Sequence, residues 1–172
     1  MATPEDYRRF LASAPEAVIE WRTIELYHPD FSQVWRFVAD TIPQDLTLEA
    51  GAPNNAGETV AFESLAMRIS DPKERSNESG GVAVNVSDLG EYATAILNEI
   101  TVENVFVPVR MIYRKFISSD TSSPVYVRRL TIGGVSFNGD NSFSFEGDDT
   151  DFANKTGGQL YTLDRFPSLR SL

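Results

Sequence analysis

The sequence predicts an α+β domain: an antiparallel β-sandwich or split barrel with one flanking amphipathic helix and an N-terminal helix. Two patterns lead there. β-Branched and aromatic residues recur in short runs bounded by Gly, Pro, Asn and Asp, which is how half-buried strands and their turns read. One segment, 88–100, instead spaces its apolar residues by three and four, and the strict strand–helix alternation of a parallel α/β fold is missing. At 172 residues the chain is long enough for one domain with its own core. Residues 1–172 are therefore read as a single β-rich domain, with a helical arm at about 4–14 and a tail at about 160–172.

The arm sets Pro4 at a helix start, with Glu5 and Asp6 where the positive end of the helix dipole favours acids. Tyr7, Phe10 and Leu11 form its apolar stripe, too small to hold a helix alone, so it must dock. Ala17 to Tyr27 and Val34 to Ala39 read as a hairpin around the turn Tyr27-His28-Pro29-Asp30-Phe31. Leu46 and Leu48 mark a short strand before a polar loop, 50–57. Thr59 to Ile69 resumes the strand pattern, but Phe62 is out of parity with Leu65, Met67 and Ile69. A period of two cannot change face without an irregularity, so a bulge is expected near Glu63 or Ser64.

The charged stretch Asp71 to Gly81 predicts an exposed loop, and Val82, Val84 and Val86 a strand. Asp88 with Glu91 at N3 forms a capping pattern for a helix carrying Leu89, Tyr92, Ala93, Ile96 and Ile100 on one face, Asn98 and Glu99 facing water. Val105 to Ile117 and Tyr126 to Ile132 are strand-like. Val135 and Phe137 face Phe143 and Phe145 across Asn138-Gly139, a terminal hairpin, and 148–155 predicts one helical turn.

Composition narrows the chemistry. The chain has no cysteine, which excludes disulfides, thiolate metal sites and a cysteine nucleophile. A net charge of −10 is the wrong sign for a protein that binds by neutralising phosphates, so direct nucleic-acid binding is not expected. No run approaches the roughly 20 apolar residues of a membrane-spanning helix, and the N-terminus lacks a signal-peptide pattern; neither a membrane partner nor export is expected.

The single histidine sits in His28-Pro29-Asp30, the tripeptide of J-domain cochaperones. Its flanks are strand-like, where that motif needs a helical hairpin, so a turn fixed by Pro is the reading preferred. No Gly-x-Ser-x-Gly elbow accompanies His28, and among 25 acids no pair stands out as general acid and base; no catalytic residue is assigned. Asp148, Asp149 and Asp151 cluster but lack the glycine and distal Glu of a calcium loop, and Gly133-Gly134 and Gly157-Gly158 lack the Lys-Ser/Thr of a phosphate loop. No metal or cofactor is expected. The ending Arg165-Phe166-Pro167-Ser168-Leu169-Arg170 sets apolar anchors between cations in an acidic chain, so it either covers its own sheet edge or reaches another subunit. Tyr7, Phe10, Arg165, Phe166, Leu169 and Arg170 are the candidate interface residues.

Several blocks carry a resemblance: Phe10 to Pro15, Thr23 to Pro29, Val60 to Ile69, the strand Val84 to Ser87 with its helix, Tyr113-Arg114 with Ser118 to Asp120, and the ending Tyr161 to Arg170. Through them the chain resembles a family of tailed-bacteriophage tail-tip structural proteins, similar to distal tail proteins, encoded downstream of the tape measure. The Asp71 to Gly81 stretch is longer than that family leads one to expect. The resemblance implies a virion protein, made in the bacterial host cytoplasm, that forms a homo-oligomeric ring and contacts the neighbouring tube, hub and tape-measure proteins. It implies no catalytic residues. An acidic lumen of such a ring would repel passing DNA. The competing expectations are a tail-associated peptidoglycan hydrolase or peptidase working through carboxylates, and an assembly chaperone absent from the finished virion.

Overall fold

The computed structural model describes residues 8–9, 12–13, 18–70, 81–87, 98–101, 103–104, 106–137 and 143–148. Among these described residues nine strands are formed: β1 (Glu20–Tyr27), β2 (Trp35–Val38), β3 (Gln44–Thr47), β4 (Thr59–Ser64), β5 (Met67–Ser70), β6 (Val82–Val86), β7 (Arg110–Ile117), β8 (Tyr126–Phe137) and β9 (Phe143–Asp148). They make one open mixed sheet in the order β3-β4-β2-β1-β7-β8-β9-β6-β5. This corrects the sequence expectation in two respects. The strands belong to one hydrogen-bonded sheet, not two facing ones, and the sheet is not wholly antiparallel, because β2 and β4 run parallel with Phe37 opposite Glu63 and Val38 opposite Ser64.

Among the described residues, helical backbone is confined to Arg8, Arg9, Ala12, Ser13 and Asn98. Most of the expected arm and most of the expected helix at 88–100 lie outside the described residues, as do the loop 71–80 and the tail from 149 onward. Asp148, expected to open a helical turn, is instead the last residue of β9, paired with Thr131.

The β1–β2 hairpin forms as its alternation predicts, with Ile24 opposite Phe37 and Leu26 opposite Trp35. On its other side β1 pairs along its full length with β7, from Glu20 opposite Ile117 to Tyr27 opposite Arg110. Both faces of this central pair are covered, so Thr23, Ile24, Glu25 and Leu26 are all buried in succession. One face carries Ile24, Leu26, Phe37, Met111, Tyr113 and Leu130 into a core shared with Leu65, Ile69, Val82, Val84, Val86 and Phe145. The opposite face carries Val38 and Phe116, with Trp21 against them, into a second cluster with Leu46, Leu48, Ala52 and Phe62. There Phe62 and Phe116 meet edge to face at 6.3 Å. Each fully buried aliphatic or aromatic side chain in these clusters contributes about 1.5–3 kcal/mol over its exposed state.

A shared core requires the two ends of the sheet to curl toward each other, and the chain makes the join within a few residues. β4 pairs with β3 and β2, then β5 pairs with β6 at the far end of the strand order. Between them the Leu65 amide donates to Val38 O at 3.0 Å, and the Ser87 amide to Ala66 O at 3.0 Å. Phe62 and Leu65 are buried while Glu63 and Ser64 are exposed. The parity change seen in the sequence is therefore real, but its cause is an exchange of partner strands.

A true bulge lies elsewhere. β8 is one strand of 12 residues, and its register against β9 shifts between Ile132 and Gly134, leaving Gly133 as the extra residue. The Gly133-Gly134 pair thus serves strand geometry, where the absence of a side chain eases a local bend. β9 closes on the core through Gly147, where an added Cβ would lie 2.2 Å from Met111 Cε and 3.1 Å from Leu130 Cβ.

Candidate functional site

The face of β1 and β7 that carries Thr23, Glu25, Ile112 and Arg114 is capped by β3 and the loop that follows it, and the capping is ionic as well as apolar. Arg114, entirely buried, donates from Nε and Nη2 to the two carboxylate oxygens of Glu49 at 2.8 and 3.1 Å. Its Nη1 donates to Glu25 Oε2 at 3.1 Å, and Arg36 Nε reaches the same oxygen at 3.1 Å. Asn54 Nδ2 donates to the other Glu25 oxygen at 3.1 Å. Arg36 Nη2 continues to Asn55 Oδ1 at 2.7 Å, and Asn55 Nδ2 donates to Glu58 Oε2 at 2.7 Å. Asn55 holds φ at 52°, a left-handed turn conformation that asparagine tolerates better than most residues. Arg129 donates to Gly51 O from the same face.

The arrangement is a clamp: the guanidinium of Arg114 ties a strand carboxylate, Glu25, to a loop carboxylate, Glu49. Both carboxylates are spent on cations and amides, a geometry that fixes the loop 49–58 onto the sheet and leaves neither positioned as an acid–base pair. Sequence reasoning missed this group. Glu25 shares β1 with Glu20, Arg22 and Thr23, and Arg114 stands beside Lys115 in β7, so no local pattern marks either charge as buried.

Beyond the clamp, at the end of the same face, lies a cleft of about 490 Å³ walled by Tyr27, His28, Phe31, Val34, Val107 and Pro108, with Ser32, Gln33, Asn54 and Arg110 as its polar lining. The His28-Pro29-Asp30 turn closes with the Phe31 amide donating to His28 O at 3.1 Å. His28 is buried; its Nδ1 accepts the Asp30 amide at 3.2 Å, which places the ring proton on Nε2 for donation to Val107 O at 3.0 Å. Asp30 Oδ2 accepts the Thr101 amide at 2.9 Å and the Thr101 hydroxyl at 2.8 Å, and Asn104 Nδ2 donates to Asp30 Oδ1. The Thr101 amide and then its hydroxyl, with smaller help from Asn104 and His28, hold the Asp30 carboxyl below its ordinary value of 3.8 against a small opposing effect of burial. Glu99, expected to face water, instead accepts the Ser32 amide at 2.7 Å and its hydroxyl at 3.1 Å.

The tripeptide is therefore a fastener. Its histidine and aspartate each hold one end of the segment that leads into β7. Of the interface residues expected from sequence, Tyr7, Phe10, Arg165, Phe166, Leu169 and Arg170 all lie outside the described residues. Among the described residues no group of three or more His, Asp or Glu side chains converges as a cation site, and no helix is long and apolar enough to cross a membrane.

A curled, nine-stranded open sheet with a loop clamped over one face and a fastened turn at its end defines a β-rich domain whose polar groups hold segments in place. The chain belongs to a family described as a domain of unknown function (DUF1833), whose model matches residues 7–142, and that family is phage-associated. The match ends before Tyr161 to Arg170, the most distinctive of the blocks noted above. No curated protein matches the sequence.

Proposed function

We infer that this protein is a structural component of a bacteriophage tail tip, a distal tail or hub-proximal ring that joins the end of the tail tube to the hub or receptor-binding proteins. The observation that carries the reading is membership of a phage-associated family over 7–142. The structure adds support of a physical kind. The buried Arg114–Glu49 pair and the Asp30 carboxylate are engaged in holding loops in place, as suits a part whose work is mechanical. The curled sheet is read as a split barrel, the shape anticipated for such a ring subunit, with the ring closed by head-to-tail contacts between two different surfaces of each copy. The N-terminal arm and the tail at 160–172, with Tyr7, Phe10, Arg165, Phe166, Leu169 and Arg170, supply anchors for those contacts. No catalytic step is assigned.

The test is an image reconstruction of the intact particle combined with mass spectrometry of purified virions. The expected result is density for this chain as a ring at the tail tip and its peptides in the virion. Particles that lack the chain, or that carry it away from the tail tip, overturn the reading. Deleting residues 166–172 is expected to block tail assembly.

A further inference from the structure

The cleft at the end of β1 and β7 leaves apolar surface in water. Val107 is 39% exposed, Pro108 is exposed and Phe31 is half-buried, so its walls stand open to an occupant. Its volume of about 490 Å³ falls within the range of roughly 300–1,000 Å³ typical of clefts that hold a ligand. Arg110, exposed and the first residue of β7, borders it as a cation.

The strand register shows where the chain leaves the sheet relative to this cleft. Tyr27 stands opposite Arg110, Arg110 opposite Thr131, and Thr131 opposite Asp148. Residues directly opposite one another share a face of the sheet, and along this row Arg110 Nη1 donates to Thr131 Oγ1 at 3.0 Å. Asp148, the last residue of β9, is thus on the cleft's side of the sheet, two strand spacings or about 10 Å from Arg110. Residues 149–172 follow it and lie outside the described residues.

We propose that the segment Asp164-Arg165-Phe166-Pro167 seats on the cleft of its own chain, with Phe166 and Pro167 against the apolar walls and Asp164 against Arg110. Reach permits it: residues 149–163 span up to about 50 Å when extended, several times the separation. Proline restrains the residue before it to an extended backbone, so Phe166 is presented at little ordering cost. In an extended chain Asp164 then points to the same side as Phe166, toward the cation at the rim. Tethering decides between one copy and two. A segment held so near its site has an effective concentration on the order of millimolar, so below that the contact within one chain prevails over the same contact between copies. The proposal does not rest on the tail-tip reading; where both hold, the anchors assigned to ring contacts stay covered in the free chain until a neighbour takes them.

The chain has no cysteine, so Ser168→Cys gives a single attachment point for a nitroxide label on the full-length protein. In the isotope-enriched labelled chain, well below millimolar, the amide resonances of Ser32, Gln33, Val107 and Arg110 are expected to broaden. A mixture of spin-labelled unenriched chain with unlabelled enriched chain is expected to leave them sharp. Adding Phe166→Ser lowers the docking constant about 30-fold and restores the signals. Asp164→Arg and Arg110→Glu each reduce the broadening, and the double variant recovers it. Unshifted resonances in β1 and β7 away from the cleft check that each variant is folded. Cleft amides that stay sharp in the labelled chain, broadening that appears in the mixture, broadening that Phe166→Ser leaves unchanged, or a double variant no broader than the singles overturns the proposal.

Discussion

Arg114 illustrates how much one side chain can be asked to hold. Its guanidinium is fully buried and gives three hydrogen bonds to two carboxylates, one of which, on Glu25, is itself fully buried. Truncating one partner of such a group leaves the other charged and unsolvated, which costs about 3–5 kcal/mol. Arg114→Ala is therefore expected to lower the stability measured by urea denaturation by that amount, and to release the loop 49–58 to proteolysis. Asp30 makes a different prediction, because its carboxylate is favoured in the folded state by the Thr101 amide and hydroxyl. A carboxyl held low contributes stability that is complete above its ordinary value of 3.8 and is lost as pH falls through its lower folded value. The Thr101 amide resonance is expected to keep its native shift at pH 5 and to move as pH drops below about 3.8, while Asp30→Ala produces the moved shift at neutral pH. A native Thr101 shift in Asp30→Ala removes the fastener from the account.

At the scale of elements, the sharpest constraint is the approach of β9 to the core. Gly147 leaves no room for a methyl group between Met111 and Leu130; the Met111 tip can move, but Leu130 Cβ at 3.1 Å is fixed by its strand. Gly147→Ala is expected to cost about 1–3 kcal/mol by overpacking, read from the midpoint of denaturation. Most strands were legible in the sequence because their alternation is written in it: Val82, Val84 and Val86 are buried, and Val135 and Phe137 pair with Phe145 and Phe143. Local pattern could also locate the break between Phe62 and Leu65. It could not say that the break marks a change of partner, since partners are set by packing between residues far apart in the chain. The parallel β2–β4 pair was missed for the same reason. The clamp escaped notice because Glu25 sits within Thr23-Ile24-Glu25-Leu26, whose alternation suggests one wet face; only cover from the loop 49–58 turns Glu25 inward. Phe106, in a run of apolar residues read as strand, gave no sign of its exposure.

For the molecule as a whole, the ends of the sheet decide how it behaves toward neighbours. β3, at one end, is only four residues long, carries the exposed Asp45, and donates its Thr47 amide to Thr121 O at 3.0 Å. Short length, charge and a covering loop are the means by which edges are kept from pairing indiscriminately. At the other end Arg22 Nη1 donates to Ile69 O at 3.0 Å, placing a side chain of β1 where a further strand could otherwise bind. Arg22 is partly exposed, so Arg22→Ala is expected to cost only about 1 kcal/mol in denaturation, yet to raise concentration-dependent association seen by light scattering. Equal scattering from the variant and the parent removes the guanidinium from the defence of that edge.

The strand segment 59–70 has a mechanical consequence. Its first half is stitched to β2 and β3 and its second half to β6, so two peptide units at Leu65 and Ala66 act as a buckle between the sheet's ends. A tensile load entering at β6 passes through the β5–β6 ladder, crosses the join at Leu65 and Ala66 through covalent bonds, and reaches β2 through the β2–β4 pairing. Cutting the chain at that point would leave every strand its ladder and still let the belt fall open.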